Sequence, residues 1–272
     1  MKIHKKSFIL SCLFVFLFSL NSLACKIAIY GDSQHNPKIQ EKLVQQIISL
    51  KPDIVFRVGD LVDDGTDPRL WEIFNSIHGP LMNISEYFPA LGNHERNSPL
   101  YFQNFPQINN QHWYMVKRCG IYFIILDSNS AFIQDSPQYR WLKSQLEKIK
   151  SESKFIILIF HHPLFDVVGS SHHDDEKNLR PVLLPLIKQY NIKAVFCGHS
   201  HNYQRFKYLN TYFIVTGGGG SYLVKQSRNS PYLQKFLATF HFCLLTPQKE
   251  ALEVKVIDLE GNIIDKFVVY PK

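Results

Sequence analysis

The chain has 272 residues, 45% of them hydrophobic, which suffices to bury one substantial core and does not call for a second domain. Its formal net charge of +7 falls to +4 once Lys2, Lys5 and Lys6 are set aside with the first 24 residues; that excess suits anionic substrates and is too small to argue for a nucleic-acid partner. No two cysteines lie within a few residues of each other, which excludes zinc-finger spacing.

Lys2, Lys5 and Lys6 precede an apolar run from Phe8 to Leu20, and Ser22-Leu23-Ala24 supplies the small residues a signal peptidase needs. The pattern predicts an export signal over residues 1–24 and a single domain over residues 25–272. The run is 13 residues long, short of the roughly 20 that span a bilayer, so the mature chain is expected to be periplasmic or secreted with no stable membrane span. Cys25, directly after Ala24, invites a lipid anchor, but Ser22 fits the usual aliphatic position poorly and a strand beginning at Lys26 leaves no tether. Export permits disulfides among Cys25, Cys119, Cys197 and Cys243, with three complete pairings; Cys197, inside an apolar strand pattern, reads as a buried thiol.

Lys26 to Tyr30 reads as a strand ending in Gly31-Asp32, and Asn36-Pro37 then supplies a cap and a first-turn proline for a helix with Ile39, Leu43, Ile47 and Leu50 at helical spacing. Asp53 to Val58 is a second strand, stopping at Gly59-Asp60, and Asp67-Pro68 opens a second helix to about Asn83. Tyr87 to Leu91 leads into Gly92-Asn93-His94, after which the aromatic and polar stretch to Asn110 reads as an irregular loop or lid. Strands are expected at Trp113 to Val116 and Ile121 to Leu126, a helix after Ser136-Pro137, and a buried strand at Phe155 to Phe160 that delivers His161. A helix over about Glu176 to Tyr190 precedes the strand Ala194 to Cys197, which delivers Gly198-His199. Thr211 to Thr216 leads to four glycines, and strands follow at Phe236 to Leu245, Leu252 to Leu259 and Ile263 to Tyr270. Alternating strands and helices with a strand-rich end predict an α/β protein, a four-layer α-β-β-α sandwich of two mixed β-sheets flanked by helices.

Side chains able to bind a cation cluster where these apolar runs stop. Asp32 and Asp60 each follow a glycine, which lets a carboxylate and backbone approach a cation closely. Asn93 adds a neutral oxygen, and His161, His199 and His201 add imidazoles that are neutral ligands near pH 7. With Gln34 these make seven donors, enough for two cations.

In their order, Gly31-Asp32-Ser33-Gln34, Gly59-Asp60, Gly92-Asn93-His94-Glu95, His161-His162-Pro163 and Gly198-His199-Ser200-His201 resemble the calcineurin-like metallophosphoesterase superfamily, over essentially all of Lys26 to Lys272. Within it, the run Gly198 to Arg205, the loop Gly169 to His172 and the run Thr216 to Gly220 are most similar to the purple acid phosphatase branch. The resemblance implies two metal ions per chain, iron, manganese or zinc. One would take Asp32, Asp60, His201 and Gln34, the other Asp60, Asn93, His161 and His199, with Asp60 shared. His94 would face the substrate as phosphate contact and proton donor, positioned by Asp63. His172 and His173 are expected to contact substrate, and Tyr203 with Arg205 to shape the pocket rim, with Arg205 alternatively pairing with an acid beneath the loop. His162 is expected behind the ligands.

Two departures stand out. Asp63 occupies the position at which purple acid phosphatases carry a tyrosinate ligand, so the iron(III)–tyrosinate chromophore should be absent. Gln34 occupies a position where many members carry histidine, and direct ligation or contact through water both remain open. The reading is an exported, dinuclear-metal-dependent phosphomonoesterase acting on a small phosphorylated substrate. The alternative is a phosphodiesterase or nucleotide pyrophosphatase, suggested by Gln34, and a third possibility is a non-catalytic protein on the same fold, which retention of the ligand residues opposes.

Overall fold

The computed structural model describes residues 25–152, 154–168 and 173–271; the expected export signal and His172 lie outside them. The elements in chain order are β1 (Ile27–Tyr30), α1 (Pro37–Leu50), β2 (Ile54–Arg57), α2 (Pro68–Met82), β3 (Glu86–Pro89), α3 (Pro99–Asn104), a 3-10 turn (Pro106–Ile108), β4 (Tyr114–Arg118), β5 (Ile121–Ile125), α4 (Pro137–Ile149), β6 (Phe155–Ile159), α5 (His173–Gln189), β7 (Ala194–Cys197), β8 (Tyr203–Tyr208), β9 (Thr211–Thr216), β10 (Leu233–Leu237), β11 (His241–Gln248), β12 (Ala251–Asp258) and β13 (Ile263–Val269).

One device starts four of the helices. Asn36, Asp67, Ser98 and Ser136 each precede a proline at the first helical position, and their side-chain oxygens accept from the backbone N–H groups of Ile39, Arg69, Leu100 and Tyr139. The proline contributes no N–H where none is needed, and the cap satisfies one that would otherwise be orphaned.

The strands form a six-stranded sheet, β13-β12-β11-β1-β2-β3, and a seven-stranded sheet, β10-β8-β9-β7-β6-β5-β4. Both are mixed: β1, β2 and β3 run parallel, as do β5, β6, β7 and β9, with antiparallel strands at the edges. Strand alternation divides the core. Ile121, Phe123 and Ile125 join the layer containing Phe56 and Leu244, whereas Tyr122, Ile124 and Leu126 pack with Leu142 and Leu146 of α4 and Leu183 and Ile187 of α5. Leu43, Val44 and Ile47 of α1 and Trp71 and Phe74 of α2 are buried with the first sheet. The architecture is therefore the expected sandwich of two mixed sheets flanked by helices.

Four expectations are revised. The strand anticipated at Phe236 to Leu245 is two strands in different sheets: β10 borders the second sheet, and the chain crosses at Ala238-Thr239-Phe240 to enter the first as β11. The stretch to Asn110 is not an irregular lid, because α3 and the 3-10 turn bury Tyr101, Phe105 and Ile108. Helix α5 begins at His173 rather than Glu176. Tyr203 and Arg205, expected to shape the pocket rim, lie on strand β8, Tyr203–Tyr208.

A disulfide joins Cys25 to Cys119, linking the entry to β1 in one sheet with the β4–β5 turn of the other; Cys197 and Cys243 are buried thiols. No helix among the described residues is long and apolar enough to cross a membrane.

Candidate metal centre

Every expected ligand lies just beyond the C-terminal end of a strand in a parallel array: Asp32 and Gln34 after β1, Asp60 after β2, Asn93 after β3, His161 after β6, and His199 and His201 after β7. Crevices outside such strand ends are where open α/β sheets bind ligands. Asp32, Asp60 and His199 all adopt left-handed backbone, with φ of 58°, 52° and 68°. For residues with a side chain this conformation costs about 1–2 kcal/mol each and persists only where the surroundings over-determine it. They do: Asp32 N–H donates to Gly59 O (3.0 Å), Ser33 N–H to Asp60 O (2.9 Å), Ser221 N–H to Asp32 O (2.9 Å) and His199 N–H to Asp32 Oδ1 (2.8 Å). Gly92 and Gly198 lie so close to the carboxylates of Asp60 and Asp32, respectively, that a Cβ at either position would collide with them.

Two groups of donors meet at Asp60. On one side, His161 Nε2 lies 3.2 Å from Asp60 Oδ2, 3.0 Å from Asn93 Oδ1 and 3.2 Å from His199 Nδ1, which is itself 3.1 Å from Asn93 Oδ1. On the other, Gln34 Nε2 lies 3.4 Å from both Asp60 Oδ2 and His201 Nε2, and His201 Nε2 is 3.7 Å from Asp32 Oδ1. The outer nitrogens set the tautomers: His161 Nδ1–H donates to Val58 O (2.9 Å) and His201 Nδ1–H to Tyr222 O (3.0 Å), so each ring in its neutral form turns an Nε2 lone pair inward.

The electrostatics of this cluster call for positive charge. Burial pushes the Asp32 carboxyl up to about 8, with the His161 charge opposing and the Asp60 charge adding. Burial also acts to raise Asp60, but the charge and hydrogen bond of His161, helped by His94, hold it well below the usual carboxylate range. Burial would lower His161, yet Asp60 overrides it and lifts the imidazole to about 10, while burial takes His201 down to about 4. Among the described residues, Asp32 Oδ2 and Gln34 Oε1 are buried without a hydrogen-bond partner, a condition normally costly enough to require explanation. Donor atoms of Asp32, Asp60 and His161 lie within 4.8 Å of one another, as do those of His161, His162 and His199. A mixed oxygen and imidazole set of this kind fits borderline divalent or trivalent cations.

His94 and Asp63 are brought together at the rim. His94 Nδ1–H donates to Asp63 O (2.6 Å) and lies 3.3 Å from Asp63 Oδ1, leaving Nε2 3.9 Å from Asp60 Oδ2. Tyr203 is not at the rim. Strand alternation turns it into the core with no exposure, and its hydroxyl donates to Asp265 (2.8 Å), which also takes the Arg205 guanidinium (2.7 Å). Arg205 thus pairs with an acid. His173 begins α5, and His162 Nδ1 is 2.8 Å from Ser128 Oγ.

Sequence reasoning missed three supporting residues. Fully buried Glu95 accepts from the backbone N–H groups of Asp60 (3.0 Å), Leu61 (2.6 Å) and Gly92 (2.6 Å), tying two ligand loops together; burial, with Asp60 adding, pushes its carboxyl up to about 7. Asp166 accepts from Ser200 Oγ (2.7 Å) and Gln204 Nε2 (2.5 Å), bracing the turn between His199 and His201. Buried Arg57 donates to Tyr30 O (3.2 Å), Tyr87 Oη (2.7 Å) and Ser33 Oγ (2.7 Å) behind the site. Only Glu95, within the Gly-Asn-His-Glu stretch, carried a usable signal.

The model of the family described as calcineurin-like phosphoesterase matches residues 25–203. Purple acid phosphatase 1 of Ipomoea batatas is 37% identical over 94 residues, 34% of this chain and 20% of that protein. Purple acid phosphatase 18 of Arabidopsis thaliana is 27% identical over 186 residues, 60% of this chain and 42% of that protein. The chain therefore spans less than half the length of these curated relatives. A purple acid phosphatase from yellow lupin (Lupinus luteus) seeds shares the fold, with a TM-score of 0.78 and 20% identity over 91% of this chain and 54% of that one. So does the anchor in the inner membrane complex of Plasmodium, with a TM-score of 0.70 and 18% identity over 91% and 89%.

Proposed function

We propose that this chain, which belongs to the calcineurin-like phosphoesterase family, is an exported phosphomonoesterase of the purple-acid-phosphatase-like branch that works with two metal ions, a reading supported by its likeness to purple acid phosphatases. The observation that carries the reading is the convergence on Asp60 of His161, Asn93 and His199 from one side and of Asp32, Gln34 and His201 from the other. Asp32, Asp60, Gln34 and His201 would hold one cation and Asp60, Asn93, His161 and His199 the second, whether iron, manganese or zinc. When bound, such a pair activates water and neutralises phosphate oxygens.

The chain's own residues supply the rest. Asp63 fixes the His94 ring through Nδ1, so Nε2 is presented towards the cluster to protonate the departing oxygen. A 400 Å³ cleft beside Asn93, lined by Arg96, Asn97, Ser128, Asn129 and His162, offers a polar place for the alcohol portion of a small substrate. Export is supported by the Cys25–Cys119 disulfide, since such bonds persist in oxidising compartments.

The test is phosphate release by metal-loaded protein from a panel of monoesters and diesters, with metal content measured alongside. About two metals per chain and monoester turnover are expected; His94→Ala should slow alkyl esters by about 10²-fold or more while retaining metal. Turnover of diesters alone would favour the second reading, which rests on Gln34. Absence of both metal and turnover would favour a non-catalytic role on this fold.

A further inference from the structure

We infer that His35 is a positioning residue for the proposed proton donor, acting on His94 through Asp63; the inference rests on the phosphoesterase reading above. Asp63 is about half exposed, with side-chain accessibility of 49%. An exposed carboxylate held by a single neighbour keeps its rotamer freedom and orients that neighbour poorly. Here it has a second tether. His35 Nε2 lies 3.0 Å from Asp63 Oδ1, the same oxygen that faces His94 Nδ1 at 3.3 Å.

His35 is itself fixed on the opposite edge of its ring. Its Nδ1 lies 2.9 Å from Ser221 Oγ, and its ring packs on Tyr222 at 4.9 Å between centroids. With the proton on Nε2, His35 donates to Asp63 and accepts from the Ser221 hydroxyl, so one neutral tautomer satisfies both contacts. The anchor is firm because Ser221 N–H donates to Asp32 O (2.9 Å) and Gly219 N–H to Gly31 O (2.9 Å), binding that loop to the first ligand loop. The chain Ser221, His35, Asp63, His94 thus leads from the rigid ligand loops out to the rim, where the Asp63 backbone carbonyl takes His94 Nδ1–H and the carboxylate steadied by His35 lies against the same nitrogen. The His35 and His94 rings lie edge to face, 6.3 Å apart, with the Asp63 carboxylate serving both.

Two substitutions separate this role from mere support of the loop. In His35→Gln the amide nitrogen takes the place of Nε2 and can still donate to Asp63; in His35→Asn the shorter amide takes the place of Nδ1 and keeps only the Ser221 contact. If His35 works through Asp63, His35→Asn loses about tenfold in kcat on an alkyl phosphate such as glycerol 2-phosphate, loses far less on 4-nitrophenyl phosphate, and keeps KM and metal content. His35→Gln recovers most of that loss. Adding His35→Asn to Asp63→Asn should bring almost no further loss. Crystal structures of the two variants supply a readout independent of turnover: the His94 Nδ1 to Asp63 Oδ1 contact persists in His35→Gln and opens in His35→Asn, while the bond from Nδ1 to the Asp63 backbone carbonyl stays in both. Equal losses on both esters, additive losses with Asp63→Asn, or an unchanged His94 Nδ1 to Asp63 Oδ1 contact in His35→Asn would overturn the inference. Wild-type protein that hydrolyses no ester would instead overturn the phosphoesterase reading, and the crystallographic comparison would still decide whether His35 positions His94.

Discussion

Breaking the Cys25–Cys119 bond should destabilise the chain by about 4–5 kcal/mol without impairing the site. The cysteines are 94 residues apart in sequence, and closing a loop of that size in the unfolded chain removes entropy worth about 4.7 kcal/mol at 25 °C. Against a total stability of about 5–15 kcal/mol for an ordinary domain, that is a large share. The site should be spared because Cys25 precedes β1 and Asp32 follows it, and the four residues of that strand separate them by about 13 Å. Cys119 is exposed in its turn, so a phosphine reductant should reach the bond in the folded protein while Cys197 and Cys243, both buried, stay protected. Urea unfolding of oxidised and reduced protein checks the stability term, with phosphate release below the transition as the control. The reduced form should unfold at lower urea, and its slope should rise because the freed unfolded chain exposes more surface. An unchanged midpoint would refute the entropic argument, and a loss of kcat in folded, reduced protein would refute the claim that the two ends of β1 are independent.

Other consequences follow from the buried polar groups. Burial holds His78 well below its ordinary value, with the Arg57 charge adding, and takes His241 down to about 4; both are neutral when folded, whereas the unfolded chain protonates them near pH 6.5. Stability is therefore fully present above that pH and declines as pH falls towards 4, His241 alone contributing a loss of about 3 kcal/mol, measurable as denaturant midpoints across a pH series in which His241→Gln flattens the slope. Glu95→Gln should cost about 1–3 kcal/mol, because an amide NH₂ then faces one of three backbone N–H groups that the carboxylate accepts, and it should weaken metal retention by loosening Asp60; unchanged metal stoichiometry after dialysis would contradict this. Chelation should lower the melting temperature of metal-loaded protein, by calorimetry, because cations that bind only the folded chain stabilise it by mass action.

The arrangement of the candidate metal ligands was legible because strand ends are: each apolar run of β1, β2, β6 and β7 stops within a few residues of one that carries a donor, so the order of motifs nearly dictates their convergence. The caps at Asn36, Asp67 and Ser136 were equally readable from the proline that follows each. Legibility failed where tertiary context overrode local pattern. The break between β10 and β11 has no glycine or proline to announce it, and only the need to change sheets bends Ala238-Thr239-Phe240. Tyr203 was misplaced because nearness in sequence to His201 suggested the rim, whereas β8 alternates and turns the ring into the core towards Asp265. Glu95 and Arg57 are charged residues that composition assigns to the surface; their burial rests on backbone donors, a peptide carbonyl and neutral hydroxyls that no local pattern displays.

Arg57 shows how the fold anticipates charge at its centre. The carboxylates of Asp32, Asp60 and Glu95 are all buried, and isolated negative charges of that kind are expensive to place away from water. The Arg57 guanidinium lies behind them, among neutral partners and over the Tyr30 ring at 4.0 Å; among the described residues it makes no direct salt bridge, and its charge interacts with that of Glu95. One guanidinium does not balance three carboxylates. Without further cations, Asp32 is pushed up to about 8 and His161 to about 10, which is to say that protons fill the deficit. Cation binding would displace those protons, since both groups must lose them to ligate. The left-handed turns at Asp32, Asp60 and His199 then acquire a physical rationale: they aim oxygen and nitrogen donors at a point where the chain alone leaves negative charge uncompensated.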